Sequence, residues 1–354
     1  MKHVLSLLLS FFLTGLIWAK KPNVVFLVSE DNSVHYLKHY GAKFGSMPHI
    51  GKMAEEGLTF NHAFSNGPVC SVARSTLATG ILAPRGGFQY HRKSALANGI
   101  QPWSAILKQA GYYCANNRKT DYNFSTGKGE AWNESSSKAT WRKRSSPEQP
   151  FFYMQSFAVC HESSLHFSEK TMRGEKTKTP VDQVAVHPYH PDTPTFRYTL
   201  ARYFDRMRLV DEQMGELLNK LKADGLIEDT FVFYFGDHGG VLPRGKGYAY
   251  ESGLHVPLVV RIPENFRKLV DHKRGTRTDG FVSFIDFGPT VLNLAGLPVP
   301  RQMDGSAFLG KGITANELAS RDEAFGYADR FDEKYDLVRT LRKGNWKYMR
   351  NYHG

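Results

Sequence analysis

The sequence predicts an α/β protein whose mostly parallel central sheet is sandwiched between helices. Apolar runs of strand length alternate with helical patterns along the chain, which is typical of βαβ units. The predicted strands are continuous apolar runs, as expected where a sheet is covered on both faces. With 354 residues and a hydrophobic fraction of 41%, the chain is long enough for one large domain and part of a second.

The first elements have clear boundaries. Residues 23–29 form the first predicted strand, which is apolar through its centre and leads directly into Glu30 and Asp31. Short helices are predicted over 48–57 and 102–111, because each segment begins with proline and ends with glycine.

Further strands are predicted over residues 151–159, 230–235 and 256–262. A long helix that ends at Gly225 precedes the second of these, because apolar residues recur on neighbouring turns. Residues 165–195 lack this periodicity and are expected to form a loop over one face of the domain. This loop is expected to help shape a substrate cleft. Polar residues gather just after the strands, which is where ligands bind in open α/β sheets.

The two ends of the chain predict a targeting segment and a second domain. Residues 1–19 have a basic start, an apolar run and a terminal alanine, which is the layout of a cleavable signal peptide; a non-cleaved anchor is the alternative. No integral membrane span is expected after cleavage. We expect the main domain to occupy residues 20–310. Residues 311–354 are expected to begin a truncated C-terminal α+β subdomain, because the strand-forming stretch 346–349 lies close to the last residue.

The net charge indicates the class of partner, and the cysteine count limits disulfide pairing. The formal net charge of +12 favours nucleic acid, an anionic membrane or an acidic polysaccharide. No basic run resembles a nucleic-acid-binding arm, and export favours the polysaccharide; scattered basic residues without a binding role are the alternative. The chain has three cysteines, Cys70, Cys114 and Cys160, so at least one of them is unpaired.

Cys70 is the first candidate for chemistry. It lies in "PVCSVARSTLATG", where residues 73–79 read as a helix that Gly80 ends. The helix dipole and Arg74, one turn along, would acidify a thiol at that N-terminus and make it a candidate nucleophile. A buried, inert cysteine is the alternative.

This segment resembles the sulfatase signature, C-x-P-x-R followed by an apolar residue, Thr and Gly. The signature is matched at Cys70, Arg74, Thr79 and Gly80, whereas Val72 stands where the family has Pro or, less often, Ala. The resemblance implies an alkaline-phosphatase-like fold. It also implies that a formylglycine-generating maturation enzyme converts Cys70 to formylglycine, whose hydrated aldehyde attacks sulfur.

The same resemblance implies a calcium ion beside residue 70. Attack on sulfur needs a hard cation, and hard cations prefer carboxylate oxygens. The family's metal-binding positions correspond to Glu30, Asp31, Asp237 and His238, together with Cys70 in its converted form. Glu30 replaces the usual first Asp. Acids at strand ends that only cap helices are the alternative.

The resemblance further implies a set of cations and acids around the sulfate group. Arg74, Lys119 and Lys246 are expected to neutralise the sulfuryl oxygens, and His161 is expected to protonate the leaving group. Asp121 stands two residues after Lys119, where many members have His, and is either the base toward formylglycine or a turn residue. For Lys246, an ordinary solvated role is the alternative.

The function that follows is hydrolysis of an O-sulfate ester or N-sulfamate in a sulfated polysaccharide or glycosaminoglycan. The segments "SEDNS", "NNRKTDYNF" and "CHES" resemble bacterial heparan N-sulfatase-like members, which act on such substrates. The predicted signal peptide makes a periplasmic or secreted protein the expectation. One alternative is a phosphoester or phosphonate hydrolase of the same superfamily, which would need additional histidine ligands for two transition metals. The other is an inactive protein that binds sulfated glycans, if Val72 prevents conversion of Cys70.

Overall fold

A computed structural model describes residues 20–92, 100–124, 130–331 and 334–353. The signal peptide predicted for residues 1–19 lies outside the described residues. Within the described ranges, no helix has both the length and the apolar character needed to cross a membrane.

The described part of the chain forms two sheets. The main sheet has eight strands: β1 (Asn23–Ser29), β2 (Gly57–Phe64), β3 (Tyr113–Asn117), β4 (Glu134–Ser136), β5 (Phe151–Phe157), β6 (Thr230–Gly236), β7 (His255–Arg261) and β8 (Thr276–Ser283). Their order is β4-β3-β5-β1-β6-β7-β2-β8, and only β7 runs antiparallel to its neighbours. The predicted α/β class with a mostly parallel sheet is therefore confirmed.

Helices cover both faces of this sheet. Those in the described ranges are α1 (Pro48–Glu55), α2 (Cys70–Thr79), α3 (Ala83–Gly86), α4 (Trp103–Gln109), α5 (Glu169–Gly174), α6 (Pro194–Ala223), α7 (Glu251–Leu254), α8 (Phe287–Leu294) and α9 (Ala315–Ala319). The α6 helix begins with Thr193 as its N-cap and Pro194 in its first turn, and the chain leaves it through Gly225 at φ 69°. The predicted loop over 165–195 contains the short helix α5 and a 3-10 turn, Val181–Gln183, and its last two residues begin α6.

Strand β1 lies at the centre of the molecule because its side chains enter two separate cores. Phe26 and its neighbours two residues away pack into one apolar cluster, whereas Val25 and Leu27 pack into the other. All of these side chains are fully buried. Each such side chain contributes roughly 1.5–3 kcal/mol relative to exposure, so this strand fixes the position of the residues that follow it.

The second sheet is antiparallel, with the order β11-β10-β9, and comprises β9 (Glu323–Phe331), β10 (Lys334–Lys343) and β11 (Trp346–Asn351). It contacts the main domain through Tyr327, whose hydroxyl lies 2.5 Å from Thr76 Oγ1 and accepts a hydrogen bond from Ala83 N at 3.1 Å. The small sheet therefore packs against the helix that carries Cys70. The domain boundary at residue 310 stays a prediction.

Candidate active site

The carboxyl ends of β1 and β6 lie side by side, because Ser29 pairs with Gly236 in parallel register. The residues that follow each strand consequently meet. Asp31 N donates to Asp237 Oδ1 at 2.9 Å, and Asn32 N donates to the carbonyl of His238 at 3.1 Å. This cross-strand pairing brings the predicted acids from distant parts of the sequence into one buried centre.

The backbone at Asp31 adopts a left-handed conformation with φ 52°, which is uncommon for a residue with a side chain. Surrounding contacts hold it there. Tyr203 donates to the Asp31 carbonyl, and Glu162 N donates to Asp31 Oδ2 at 2.8 Å. The Asp31 carboxylate is therefore held in a fixed position at the end of the strand.

Cys70 is the first residue of α2 and its side chain is buried. Its Sγ lies 3.1 Å from His238 Nε2. Burial alone would raise the pKa of this thiol, but the charge on His238 and hydrogen bonds from His161 and His238 outweigh burial and lower the pKa to about 7. The thiol therefore lies in an environment that stabilises negative charge at position 70.

Four of the predicted side chains could hold a cation together. Asp31, Cys70, Asp237 and His238 each offer a ligand atom, and these atoms all lie within 4.8 Å of one another. Asp31 Oδ1 is buried and accepts no hydrogen bond, although His238 Nε2 lies 3.0 Å away. Burial raises the pKa of Asp237, but His238 and Arg74 outweigh it and lower the pKa to about 2, so this carboxylate is ionised. An unsatisfied oxygen and ionised carboxylates suit a hard cation.

Glu30 does not belong to that four-residue group. Its carboxylate lies 3.5 Å from Arg74 Nη2 and 3.1 Å from Lys119 Nζ. Arg74 is buried and donates two hydrogen bonds to Asp237 Oδ2, at 2.9 and 3.2 Å, and a third to Ser156 Oγ at 2.9 Å. Glu30 thus contacts the cations of the site, and its role as a metal ligand stays a prediction.

Lys246 and His161 both lie beside the Asp31 carboxylate. Lys246 Nζ lies 3.1 Å from Asp31 Oδ2, 3.0 Å from Glu162 and 3.4 Å from His161 Nε2. A hydrogen bond between His161 and Cys70 raises the pKa of His161, and this effect is larger than the lowering of the pKa by burial. The His161 side chain is 22% exposed and is the more accessible of the two. It therefore lies at the opening of the site.

Asp121 lies at the edge of the site rather than beside Cys70. Its carboxylate lies 3.2 Å from Arg92 Nη2 and 4.0 Å from Lys119 Nζ, and its φ is 47°. Sequence reasoning missed Arg92 as its partner. It also missed the contact between Ser71 Oγ and His91 Nδ1, 2.8 Å long, next to Cys70. No local motif signals either contact, because the partners come from separate segments.

Comparison with known proteins shows the family of this chain. The model of the Sulfatase family matches residues 22–297. The chain is 32% identical to an ulvan-active sulfatase of Formosa agariphila, over 94% of this chain and 61% of that protein. It is 25% identical to the human N-sulphoglucosamine sulphohydrolase, over 81% of this chain and 63% of that protein. The chain thus spans less than two thirds of either relative.

The fold has solved counterparts. The phosphonate monoester hydrolase of Agrobacterium radiobacter superposes with a TM-score of 0.73 at 16% identity, over 94% of this chain and 87% of that one. At this identity the likeness describes the fold alone. The family match and the 32% identical relative carry the assignment. This chain belongs to the sulfatase family.

Proposed function

We propose that this protein is a calcium-dependent sulfatase that releases sulfate from a sulfated polysaccharide or glycosaminoglycan. The observation that carries the proposal is Cys70, at the N-terminus of a buried helix, within 4.8 Å of the ligand atoms of Asp31, Asp237 and His238. Relatives that act on ulvan and on N-sulphoglucosamine support a carbohydrate substrate, with the sulfate on oxygen or on nitrogen.

Residue 70 is proposed to supply the nucleophile after conversion to formylglycine by a maturation enzyme. The hydrated aldehyde would provide a hydroxyl that is renewed at each turnover. Val72, the departure from the family signature, is buried in an apolar cluster with Ile81, Phe88 and Tyr327, and its side chain lies against Gly67. In the folded chain it therefore belongs to the packing of α2 rather than to the reactive group.

The calcium ligands proposed are Asp31, Asp237, His238 and the converted residue 70, with Glu30 as a further candidate. Calcium tolerates irregular coordination by oxygen ligands, which fits a group drawn from three separate segments. Bound there, the ion would stabilise charge on the sulfuryl oxygens.

The charges around residue 70 favour an anionic substrate. Three carboxylates and three permanent cations surround it: Glu30, Asp31, Asp237, Arg74, Lys119 and Lys246. These six charges sum to zero; of the two further carboxylates near the lysines, Asp121 pairs with Arg92 and Glu162 is 41% exposed to solvent. A divalent cation would therefore leave a positive excess, which attracts a sulfate ester or a sulfamate.

Side chains of the site are proposed to carry out charge neutralisation and proton transfer. Arg74, Lys119 and Lys246 are proposed to neutralise the sulfuryl oxygens. His161 is proposed to protonate the leaving oxygen or nitrogen, because its side chain is partly exposed and its Nε2 lies 3.9 Å from Asp31 Oδ2, whose negative charge favours the protonated ring. Asp121 is proposed as the base toward the second hydroxyl of residue 70, in competition with its hydrogen bonds to Arg92.

The proposed location is the bacterial periplasm or the exterior of the cell. The layout of residues 1–19 and the sulfated polysaccharide substrate support it. The proposed partners are the carbohydrate and the maturation enzyme, with no nucleic acid.

Release of inorganic sulfate tests the proposal. Protein co-expressed with a formylglycine-generating enzyme is incubated with ulvan oligosaccharides, heparin oligosaccharides and a small aryl sulfate, and sulfate is measured by ion chromatography. We expect release from at least one carbohydrate, and its loss in Cys70→Ala. Binding of carbohydrate without sulfate release would instead support a glycan-binding protein.

A phosphonate or phosphoester hydrolase is the second candidate, favoured by the fold shared with the phosphonate monoester hydrolase. Within the described residues, the metal-binding group contains a single histidine, His238, which suits one hard cation better than two transition metals. Turnover of a phenylphosphonate ester faster than of every sulfated compound would favour this candidate.

A further inference from the structure

An arginine is sandwiched between aromatic rings on the surface of the loop that carries Lys246. The Arg244 guanidinium carbon lies 4.8 Å from the ring centroid of Tyr189 and 4.2 Å from that of Tyr250. The ring of Tyr248 stacks on Tyr250 with centroids 6.4 Å apart. We call these four residues the Arg244 cluster.

The Arg244 cluster borders the candidate active site. Arg244 and Tyr248 are each two residues from Lys246, so their Cα atoms lie within about 7 Å of the Cα of Lys246. Lys246 Nζ lies 3.1 Å from Asp31 Oδ2, and Gly247 N donates to the carbonyl of Pro68 at 2.8 Å, two residues before Cys70. The loop therefore contacts the site at two points, through Lys246 at Asp31 and through Gly247 at the segment that leads to Cys70.

Two features of Arg244 bear on how its charge is held. Its backbone has φ 68°, in the left-handed region that residues with side chains rarely adopt. In the part of the chain that the structure describes, no carboxylate lies within ion-pair distance of its guanidinium, whereas Arg142 and Arg197 each have one such partner and Arg261 has two. Its positive charge thus remains available to an external anion.

The aromatic partners hold this charge in one place. Tyr189 comes from the predicted loop over 165–195 and stacks on His187 with an interplanar angle of 3°. His190 Nε2 lies 2.8 Å from the carbonyl of Pro243, which joins that loop to the Arg244 loop. Tyr248 is 52% exposed, so solvent reaches its ring. An oriented guanidinium beside an exposed aromatic ring is suited to an anionic sugar, because the ring can pack on the apolar face of a pyranose and the guanidinium can pair with sulfate or carboxylate.

We propose that the Arg244 cluster binds the sugar unit next to the one whose sulfate enters the active site. In this assignment Tyr248 stacks on that neighbouring pyranose and Arg244 pairs with its anionic substituent, while Tyr189 and Tyr250 position the guanidinium. The inference rests on the proposed function, and it specifies that the substrate is an oligomer with a negative charge on the adjoining unit.

The test compares two substrates in four variants of the co-expressed, calcium-loaded protein. Arg244→Gln removes the charge, Tyr248→Ala removes the ring, and Tyr248→Phe keeps the ring. Arg350→Gln is the matched control, because Arg350 also stacks on an exposed tyrosine, 4.6 Å from the Tyr352 centroid, but lies on the outer strand of the second sheet. The substrates are the sulfated oligosaccharide that the wild type hydrolyses best and a small aryl sulfate.

We expect Arg244→Gln and Tyr248→Ala to lower kcat/KM on the oligosaccharide about tenfold more than on the aryl sulfate, mainly through KM. Tyr248→Phe should resemble the wild type, and Arg350→Gln should treat both substrates as the wild type does. Equal losses on the two substrates, or none, would overturn the inference while leaving the proposed function intact. Failure of the wild type both to bind a heparin hexasaccharide in affinity electrophoresis and to release sulfate from any substrate would overturn both.

Discussion

Arg74→Met is expected to destabilise the calcium-free protein by about 3–5 kcal/mol, because the guanidinium is the main partner of a buried carboxylate. Arg74 donates two hydrogen bonds to Asp237, and the two side chains are only 2% and 0% exposed, so solvent screens their attraction little. Two charge-assisted hydrogen bonds at about 1.5–3 kcal/mol each give roughly 3–6 kcal/mol. The lower part of that range is expected, because His238 also neutralises Asp237.

The measurement is urea unfolding in EDTA, followed by tryptophan fluorescence. The double variant with Asp237→Asn should recover at least about 1 kcal/mol, because it removes the buried charge that Arg74→Met leaves without its partner. Arg142→Met is the matched control. Arg142 contacts Asp224 at 2.8 Å with two nitrogens, but its side chain is 54% exposed, so its loss should lower the stability much less than the loss of Arg74. A loss below about 1 kcal/mol for Arg74→Met would refute the reasoning.

Three further expectations follow from contacts around the site. Tyr327→Phe should cost about 0.5–1.5 kcal/mol in urea unfolding, because the hydroxyl joins the second sheet to Thr76; an unchanged midpoint would contradict that role. Burial raises the pKa of Glu251, but the charge of Lys347 outweighs burial and the pKa is lowered. The stability that Glu251 contributes is therefore present above its ordinary pKa and is lost as the pH falls through the lower folded value. Glu251→Gln should therefore destabilise the protein more at pH 7 than at pH 3, whereas an equal effect at both would contradict the ion pair. In unconverted protein, Cys70 should react with iodoacetamide at least tenfold faster in urea than in buffer, because it is 1% exposed; equal rates would show that the helix opens freely.

Much of the fold was predictable because the central strands are buried on both faces. Strands β1, β5 and β6 are apolar runs, and each ends within two residues of its predicted boundary. Strand β2 was not predicted, because the polar pair Asn61-His62 interrupts its apolar pattern. The structure shows a register shift at that point, between Phe60 and Ala63, so the polar pair lies at an irregularity in the strand.

The site was partly predictable for a related reason. Parallel strands end at the same edge of a sheet, so Asp31 and Asp237 could be expected to meet, and the sulfatase signature identified Cys70. The partners of these residues could not be read from sequence. Ser156, which accepts a hydrogen bond from Arg74, and Arg92, which pairs with Asp121, depend on how distant segments pack.

The mass of the tryptic peptide that carries Cys70 tests the central claim most directly. The protein is exported from a host that contains a formylglycine-generating enzyme, digested without reduction, and examined by mass spectrometry alongside Cys70→Ala. We predict the mass decrease that replacement of the thiol by an aldehyde requires, together with reaction of the peptide with a hydrazide. A peptide that keeps the full cysteine mass and is alkylated at Cys70, in protein that nonetheless releases sulfate, would contradict the account.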